Sequence, residues 1–410
     1  MQILFVHRNF PAQFGHIARH LARRSGWECV FVSELPDGEA DGVRMISYQI
    51  KGGAREVNHH CSRTFENAVW HSHGVFEACK SHPEIKPDLI VGHSGFGSTL
   101  FLPELYPDVP VINYFEYYYH PHDSDIDFRP DFPPRQLDLL RARARNAMIL
   151  LDLVNCRRGY SPTAYQQSLF PADLRPKIEV IFDGIETNIY RRRPDSARRV
   201  IGRTIPENTR IVTYVSRGFE SMRGFDIFMK MAKQIYLKRP EVLFVVVGGD
   251  RIHYGGDSRQ TNNRSFREHV LAQDHYDHSK FLFTGPVPVS TLVDIFSLSD
   301  LHVYLTVPFV LSWSMMNALA CGCTVLASAT APVLEMIDDG KTGLLADFFD
   351  IDLLARKALQ VLSDPKGHSD LGRLGSEMIR DRYALDVTLP RLVTLFEEVL
   401  NRASNTGPSG

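Results

Sequence analysis

The chain has 410 residues, of which 44% are hydrophobic and 23% are charged, and its formal net charge is −2. This length exceeds what one hydrophobic core commonly supports, so the sequence predicts two domains. The near balance of charge argues against a protein that coats nucleic acid, because such proteins carry a basic excess. We therefore expect a folded, water-soluble protein without a nucleic-acid partner.

Three features of the sequence bear on its compartment. The six cysteines show no CxxC spacing, which favours reduced, buried thiols over disulfides. The start MQILFVHRNF lacks the basic region of a signal peptide, and its apolar run has the length of a strand. Nowhere do 18 apolar residues run together, so no membrane span is expected. These features predict a cytoplasmic protein.

Strand-like apolar runs alternate with helical patterns from the N-terminus onward. In the first half these runs are continuous, which is typical of parallel strands that are covered on both faces. The predicted strands are ILFV (3–6), CVFVS (29–33), DLIVG (88–92), VPVINYF (109–115) and IEVIFDG (178–184). Helical patterns between them include residues 16–24 and 63–82.

A polar, basic stretch at 191–209 is followed by a second series of the same kind. The predicted strands are RIVTYVSR (210–217), VLFVVVGGD (242–250), KFLFTGPV (280–287), DLHVYLTV (300–307) and CTVLAS (323–328). The helical patterns that separate or follow them are 225–238, 289–299, 315–320 and 350–364. The whole pattern predicts an α/β protein with two doubly wound, Rossmann-like domains.

The domain boundaries follow from these two series. We expect residues 1–190 to form the first domain and 191–387 the second, with a final helix at 388–403 that packs back on the first domain. In such folds ligands bind at the carboxyl ends of the strands, here in a cleft that both domains face.

Several landmarks resemble the retaining nucleotide-sugar glycosyltransferases of family 4, which have the GT-B fold. The landmarks of the second half are IEVIFDGIETNIY (178–190), YVSRGFESMRGFDIF (214–228), VVVGGD (245–250), FTGPVPVSTLVDIFSLSDLHVY (283–304), NALACGCTVLAS (317–328) and VLEMIDDGKTGLL (333–345). Their order and spacing carry the resemblance, which extends over nearly the whole chain. The first half agrees more loosely, through HRNFPAQFGHIARHLA (7–22) and the stretch at 92–119.

Two arginines are the principal candidates for catalysis. Arg217 ends a predicted strand, and Arg223 follows six residues later, before Gly224. Two cations at such a position bind a diphosphate and stabilise the charge that grows on it when a glycosidic bond breaks. The resemblance implies an arginine and a lysine at this spacing, so Arg223 is a cationic replacement with a planar fork. The alternative is a pair of solvated loop arginines.

The stretch TVPFVLSWSMMNALACG (306–322) is a candidate phosphate site. A predicted helix starts near Ser312, Trp313 and Ser314, and the free N–H groups at a helix start favour an anion. The resemblance implies two glutamates, one for the hexose and one for the ribose, but Phe309 and Asn317 stand at their positions. Asparagine still forms hydrogen bonds to a ribose, whereas phenylalanine forms none to the sugar.

Three explanations of the missing carboxylates stay open. Backbone amides at 310–314 hold the hexose, another residue supplies the carboxylate, or transfer has been lost. The remaining candidates for donor binding are small or apolar residues of the resembling motifs: Gly15, Ser216, Gly248, Gly249 and Val287. Among them, the two adjacent glycines would let the backbone approach a flat base closely.

The first domain is expected to hold the acceptor. Glu116 follows a predicted strand at the position where the resemblance implies a histidine close to the reacting sugar. A carboxylate there would hydrogen-bond the hexose, or accept the acceptor's proton if burial raised its pKa. Its alternative is a carboxylate paired with an arginine. His93 follows a neighbouring predicted strand, and a purely structural histidine is its alternative.

Two other segments have patterns that suggest a different kind of site. Asp123, Asp125 and Asp127 alternate in HPHDSDIDFRPDF (120–132), but the segment lacks the glycine of a Ca²⁺ loop, so we interpret it as a solvated acidic loop and expect no metal site. The arginines of RARAR (141–145) are spread around a helix, so they do not form one basic face for a membrane. Membrane contact is therefore left without support from the sequence.

The resulting hypothesis is a metal-independent retaining hexosyltransferase without a cofactor. Its partners would be a nucleotide-sugar donor, with a UDP-sugar favoured over a GDP-sugar, and an unidentified acceptor that is a glycan, a lipid-linked molecule or a small molecule. A homodimer is compatible with the sequence. The alternatives are a catalytically silent nucleotide-sugar-binding relative that serves as a partner subunit, and an epimerase of the same fold.

Overall fold

The computed structural model describes residues 1–194, 196–262 and 264–405, which form two compact α/β units. Unit 1 comprises Met1–Ser124, Pro134–Asp183 and the residues from Thr388 onward. Unit 2 comprises Asp125–Pro133 and Gly184–Val387. The chain therefore passes from one unit to the other after Ser124, Pro133, Asp183 and Val387.

The described part of unit 1 is built on an eight-stranded sheet with the strand order β3-β4-β2-β1-β5-β6-β7-β8. The strands are β1 (Gln2–Val6), β2 (Glu28–Ser33), β3 (Gly38–Ala40), β4 (Val43–Ser47), β5 (Leu89–His93), β6 (Val111–Tyr114), β7 (Arg158–Ser161) and β8 (Ile178–Val180). The edge strand β3 pairs antiparallel with β4, and the other described pairs are parallel. The central strands β1 and β5 are apolar and buried, as their continuous hydrophobic runs predict.

Helices cover both faces of this sheet. They are α1 (Gly15–Ala22), α2 (Arg63–Lys80), α3 (Gln136–Asn155) and α4 (Ala164–Ser168). Two buried clusters, one containing Phe5 and Phe14 and the other containing Val30 and Ile149, lie among these elements. The doubly wound arrangement predicted for the first domain is confirmed.

The described part of unit 2 has a six-stranded parallel sheet with the order β13-β12-β11-β14-β15-β16, and a separate two-stranded antiparallel hairpin of β9 and β10. The strands are β9 (Arg199–Val200), β10 (Arg203–Thr204), β11 (Arg210–Gly218), β12 (Val242–Gly249), β13 (Phe281–Gly285), β14 (Leu301–Tyr304), β15 (Val325–Ser328) and β16 (Leu344–Ala346). Strand order reverses at β11 and β14, whose carboxyl ends are therefore the expected place for a ligand.

The helices of unit 2 follow the strands, as the second series of patterns predicts. They are α5 (Phe225–Lys238), α6 (Phe266–Gln273), α7 (Val289–Leu298), α8 (Trp313–Ala320), α9 (Ala331–Leu334), α10 (Ile351–Ser363) and α11 (Ser369–Met378), and a π-helical turn spans Ile379–Tyr383. No helix in the described part of the chain combines the length and the apolar character that crossing a membrane requires.

The last helix, α12 (Leu385–Asn405), returns the chain to unit 1. Phe396 of this helix is fully buried, and its ring centroid lies 6.3 Å from that of Phe5 in β1. The predicted return of the C-terminal helix to the first domain is therefore confirmed.

Two boundaries differ from the expectation. The chain enters unit 2 for its long second part after Asp183, not after residue 190. In addition, residues 125–133, hereafter the strap, belong to unit 2 although they were assigned to the first domain. The strap is short and proline-rich, so its sequence carries no periodic pattern that reveals where it packs.

Candidate active site

Arg223 is the buried cation at the carboxyl end of the sheet of unit 2. It ends a 3₁₀ turn (Ser221–Arg223), and 6% of its surface is exposed. Its Nη1 donates hydrogen bonds to Thr306 Oγ1 at 2.7 Å, Val310 O at 3.2 Å and the Tyr304 hydroxyl at 3.3 Å. The guanidinium is therefore fixed by the segment that leads from β14 to α8.

The backbone around Arg223 is equally constrained. The Tyr214 hydroxyl donates a 2.7 Å hydrogen bond to the carbonyl oxygen of Arg223. Gly224 follows in the left-handed conformation, with a φ of 61°, and a Cβ there would lie 2.8 Å from Leu305 Cβ. Glycine is needed at 224 both for the conformation and for the close approach of the two segments.

The predicted helix start near Ser312 is confirmed. Helix α8 begins at Trp313, and the Ser312 side chain caps it by accepting a hydrogen bond from the Ser314 N–H at 3.3 Å. The Ser312 N–H donates to the Tyr304 hydroxyl oxygen at 2.9 Å. That oxygen accepts from Arg223 as well, so one phenol joins the buried cation to the helix start.

A narrow cavity lies at this junction. Arg223, Tyr304 and Ser312 line it, together with Ser216 at the end of β11. A buried guanidinium beside a capped helix N-terminus is an arrangement that favours an anion. The structure thus brings together three of the residues predicted from the sequence.

Arg217 has a different environment. It lies near the end of β11, is exposed to solvent and is not among the described residues that line the cavity. Burial lowers the pKa of His253, and the positive charges of Arg217 and Arg251 lower it further, which places Arg217 close to the 251–253 segment. The two predicted arginines are therefore not equivalent, because one is anchored internally and the other extends into solvent.

The other predicted residues of α8 differ in exposure. Trp313 is 43% exposed at the helix start, whereas Asn317, one turn later, is 7% exposed. The side-chain amide of Asn317 makes no hydrogen bond to another described residue, so its polar atoms remain available to a ligand.

Phe309 occupies the place where the resemblance implies a hexose-binding glutamate. It is 7% exposed, and its ring packs edge-on against that of Tyr254, with centroids 5.3 Å apart. The Arg223 guanidinium lies 5.6 Å from the same tyrosine ring. In unit 2, then, an aromatic contact replaces a carboxylate at this position.

Two buried carboxylates that the sequence analysis overlooked hold the backbone of this tyrosine and of the turn that carries Arg223. Buried Glu220 accepts hydrogen bonds from the backbone N–H groups of His253 and Tyr254 at 2.8 and 3.0 Å, and burial raises its pKa to about 7. Asp257 accepts from the N–H and the hydroxyl of Ser221 at 2.7 and 2.6 Å. Glu220 lies inside the motif YVSRGFESMRGFD, but its partners are backbone groups more than thirty residues away.

The predicted base-binding residues have structural reasons of their own. Gly248 has a φ of 143°, and a Cβ there would lie 2.0 Å from the carbonyl oxygen of Ser216. The close approach of β11 and β12 therefore requires this glycine without any ligand. A Cβ on Gly249 would meet Arg217 O at an ordinary 3.7 Å. Val287 packs, half-buried, against the hydrophobic cluster that contains Val245.

In unit 1, polar side chains gather at the carboxyl ends of three adjacent strands. His93 ends β5, and its Nε2 lies 3.8 Å from Glu116 Oε2, just beyond β6. Its Nδ1 contacts Ser94 O at 2.9 Å, and burial lowers its pKa to about 4, so the ring is neutral at physiological pH. His7 follows β1, with its ring centroid 5.3 Å from that of His93.

The closeness of His93 to Glu116 and the position of His7 add to what the sequence predicts. The pairing of Glu116 with an arginine stays a prediction, and the structure places the imidazole of His93 3.8 Å from its carboxylate. His7 directly follows the apolar strand β1, and His93 is the last residue of β5. A histidine at the end of an apolar strand is therefore the sequence signal by which His7 could have been predicted. Gly15 is the first residue of α1, where a Cβ would lie 2.2 Å from Pro11 Cβ.

The segment HPHDSDIDFRPDF is not a wholly solvated acidic loop. From residue 125 onward the segment belongs to the strap, in which Arg129 is only 4% exposed and pairs with Asp226 of α5. Among the described residues no group of three or more His, Cys, Asp or Glu side chains is arranged to hold a metal ion. In the RARAR stretch, Arg145 stacks on Tyr119 within unit 1, with 3.5 Å between the guanidinium carbon and the ring centroid.

Comparison with known sequences agrees with this architecture. The profile of the "Glycosyl transferase family 4 group" matches residues 25–190, and that of the "Glycosyl transferases group 1" matches residues 200–378. The chain is 21% identical over 228 residues to the N-acetyl-alpha-D-glucosaminyl L-malate synthase of Bacillus anthracis, a match that covers 56% of this chain and 55% of the relative. It is 23% identical over 241 residues to a GDP-mannose-dependent alpha-(1-6)-phosphatidylinositol monomannoside mannosyltransferase of Mycolicibacterium smegmatis, covering 56% and 59%. The chain thus spans about half the length of these curated relatives.

Solved structures resemble the chain over nearly its full length. A sucrose-phosphate synthase from Thermosynechococcus elongatus superposes with a TM-score of 0.74 at 18% identity, covering 98% of this chain and all of that one. The Anabaena protein Alr3699/HepE in complex with UDP-glucose gives a TM-score of 0.69 at 14% identity, covering 97% and 100%. The chain belongs to the family 4 glycosyltransferases and has the GT-B fold.

Proposed function

We propose that this protein is a retaining hexosyltransferase that uses a nucleotide diphosphate sugar. The observation that carries the proposal is the joint anchoring of Arg223 and the N-terminus of α8 by the Tyr304 hydroxyl. A buried guanidinium and a helix N-terminus that share one support present a cation and the positive end of a helix dipole to a diphosphate. Family membership supports the same activity.

In this proposal the diphosphate is both anchor and leaving group. When the bond between the sugar and the phosphate breaks, negative charge grows on the phosphate oxygens, and Arg223 together with the positive end of the α8 dipole stabilises it. Arg217 is a second, solvent-exposed cation for the same charge. The family resemblance supplies the rest of the course: the acceptor attacks from the face of the departing group, and the leaving phosphate takes its proton.

The donor side of the proposal has a specific consequence at Phe309. Since a phenyl ring accepts no hydrogen bond from a sugar hydroxyl, backbone amides at 310–314 hold the hexose. Asn317 then contacts the ribose as a neutral partner. We favour a UDP-sugar as the donor, in line with the Anabaena structural neighbour in complex with UDP-glucose, while the Mycolicibacterium relative is described as GDP-mannose-dependent.

Unit 1 is assigned the acceptor. Glu116 and neutral His93 lie at the carboxyl edge of its sheet, and a carboxylate beside an uncharged imidazole offers acceptors to a hydroxyl nucleophile. The acceptor itself is a glycan, a lipid-linked molecule or a small molecule.

Two observations favour a second candidate function, that of a catalytically silent subunit. Phe309 is packed against Tyr254 and Asn317 is uncharged, so both carboxylates that the resemblance implies are absent. A silent nucleotide-sugar-binding subunit would tolerate both changes. An epimerase of the same fold would instead release an epimerised nucleotide sugar without any acceptor.

One experiment separates these functions. The purified protein is tested by thermal shift with UDP-glucose, UDP-N-acetylglucosamine and GDP-mannose, and each stabilising donor is then incubated with and without EDTA while its hydrolysis is followed by chromatography. We expect a UDP-sugar to stabilise the protein and to be hydrolysed slowly, equally with EDTA. Stabilisation without turnover supports the silent subunit, and the absence of stabilisation by any donor overturns nucleotide-sugar binding.

A further inference from the structure

The strap, residues 125–133, is a piece of unit 2 that interrupts the sequence of unit 1. Two aromatic side chains dock it: the Phe128 ring lies 5.5 and 5.2 Å from those of Phe348 and Phe349, and the Phe132 ring lies 5.7 Å from that of Phe266. The sequence gives no regular secondary structure here, so these contacts define its position.

Arg129 is the buried polar centre of the strap. Its Nη1 and Nη2 donate to Oδ1 and Oδ2 of Asp226 at 2.8 and 2.7 Å, a bidentate pair in which both side chains are about 95% buried. Nε and Nη2 donate to Asp131 at 3.0 and 2.5 Å, and Nη1 also donates to Ser221 O at 2.8 Å. The guanidinium carbon lies 4.6 and 5.4 Å from the rings of Phe132 and Phe348.

Two of the residues that Arg129 contacts, Ser221 and Asp226, lie on either side of Arg223 in the sequence. Ser221 precedes Arg223 by two residues, and Asp226 follows it by three, on the first turn of α5. Asp257 holds the N–H and the hydroxyl of the same Ser221. The turn that carries Arg223 is thus clamped from outside by the strap and by the 257 region.

A purely structural explanation accounts poorly for this arrangement. Burying an ion pair costs desolvation, and replacing such a pair by apolar residues is often neutral for stability or even favourable. Arg129, however, also donates a hydrogen bond to the carbonyl oxygen of Ser221, and this contact orients the turn that carries Arg223. A planar guanidinium can donate to Asp226, Asp131 and the Ser221 carbonyl at once, whereas a lysine ammonium cannot reproduce this geometry.

We propose that Arg129 is a positioning residue for the donor site, which holds the turn 221–226 so that Arg223 faces the donor diphosphate. This role rests on the proposed function. It assigns the strap, which is remote in sequence from the donor motifs, a part in phosphate recognition. Its effect is specific to ligands that carry the diphosphate.

The test compares UDP with uridine by calorimetry in the full chain, since the two ligands differ only in the diphosphate. The variants are Arg129→Met, Arg129→Lys and Asp226→Asn, together with Arg223→Met and the double change of Arg129 and Arg223. Leu362→Ala, in the buried face of α10, is the control for a general loss of stability. Thermal unfolding is measured for each variant.

We expect Arg129→Met to weaken UDP binding roughly tenfold, with uridine binding changed less than twofold. Arg129→Lys, which keeps the charge, should fold and show a smaller loss in the same direction. In the Arg223→Met background the further change at 129 should have less than a twofold effect, because the two residues act through one contact. Leu362→Ala should lower the unfolding temperature without this selectivity.

Equal losses for UDP and uridine, or full additivity of the two changes, would overturn the role of Arg129 while leaving the proposed function intact. If Arg129→Met fails to fold, the Lys and Asn variants decide in the same way. A wild-type protein that binds neither UDP nor GDP would overturn the proposed function, and this role with it.

Discussion

Phe309 packs edge-on against Tyr254, with their ring centroids 5.3 Å apart. The same tyrosine has its backbone N–H bound by buried Glu220 and its ring 5.6 Å from the Arg223 guanidinium. The loss of a carboxylate at 309 is therefore not an isolated change, because the aromatic pair connects the 253–254 segment to the cation. Restoring a glutamate at 309 would place a charge against a ring, and the surrounding contacts would have to change with it.

Arg217 and Arg223 should differ in what their removal does. We expect Arg217→Ala to weaken binding of the stabilising donor by about 2–3 kcal/mol with an unfolding free energy within about 0.5 kcal/mol of wild type, because this side chain is exposed. Arg223→Met should weaken donor binding and also destabilise the fold, since it leaves the Thr306 hydroxyl and the Val310 carbonyl without this donor. Arg203→Ala, an exposed arginine of β10, is the control. Unchanged donor binding in Arg217→Ala would remove this residue from the site.

Asn317 offers a gain-of-affinity test. If its amide faces the ribose, Asn317→Glu should tighten UDP binding by about 1 kcal/mol, because a charged acceptor forms a stronger hydrogen bond than a neutral one. The gain should vanish with a UDP analogue that lacks the ribose hydroxyls. Calorimetry with both ligands measures it, and Asn317→Asp, with a shorter reach, is the control. Equal affinity of the Glu variant and wild type for UDP would show that α8 does not present this position to the nucleotide.

Glu116 is expected to matter for turnover rather than for donor binding. Glu116→Gln keeps the shape but removes the charge that would position the nucleophile beside the neutral His93 ring, and we expect transfer or donor hydrolysis to fall roughly 100-fold. The affinity for UDP should stay within about twofold, because no donor phosphate is assigned to this residue. Glu104→Gln, on the surface of unit 1, is the control. A variant with wild-type turnover would leave Glu116 a structural carboxylate.

Buried Glu220 predicts a pH dependence of stability. Burial raises its pKa from 4.5 to about 7, so the folded protein binds more protons than the unfolded chain between these values, and stability falls as the pH rises through this window. Glu220→Gln removes the titration, so between pH 5 and pH 8 the variant should gain about 2–3 kcal/mol relative to wild type. Asp152, whose pKa burial also raises to about 7, is present in both proteins and cancels. Parallel curves from urea unfolding at several pH values would contradict the assignment.

Much of the fold could be predicted because buried parallel strands have continuous apolar runs. The strands at 3–6, 88–92 and 210–217 follow that rule within one or two residues. Strands β4 and β7 were missed, since VRMIS and RGYS carry charged or small residues and become strands through their neighbours in the sheet.

The residues of the candidate site also differ in how far local sequence could predict them. Arg223 and Ser312 were predicted because they lie beside strand ends and helix starts that local sequence reveals. Arg129 was not, because its partner Asp226 lies 97 residues away and no local pattern links them. Glu220 lies within the motif YVSRGFESMRGFD but was not predicted, because its side chain accepts hydrogen bonds from the backbone of the distant 253–254 segment. Long-range polar contacts of this kind are what a single sequence does not display.

The interleaved course of the chain also orders its assembly during synthesis. The strap is synthesised before any other part of unit 2. Arg129 therefore cannot pair with Asp226 until the ribosome has added nearly a hundred more residues. Unit 1 receives α12 only after the long segment of unit 2 has been made, when Phe396 packs against Phe5, so its core stays incomplete until then. Nascent chains stalled at residue 387 would on this account hold a first unit that is still vulnerable to proteases, although its eight strands have all been made.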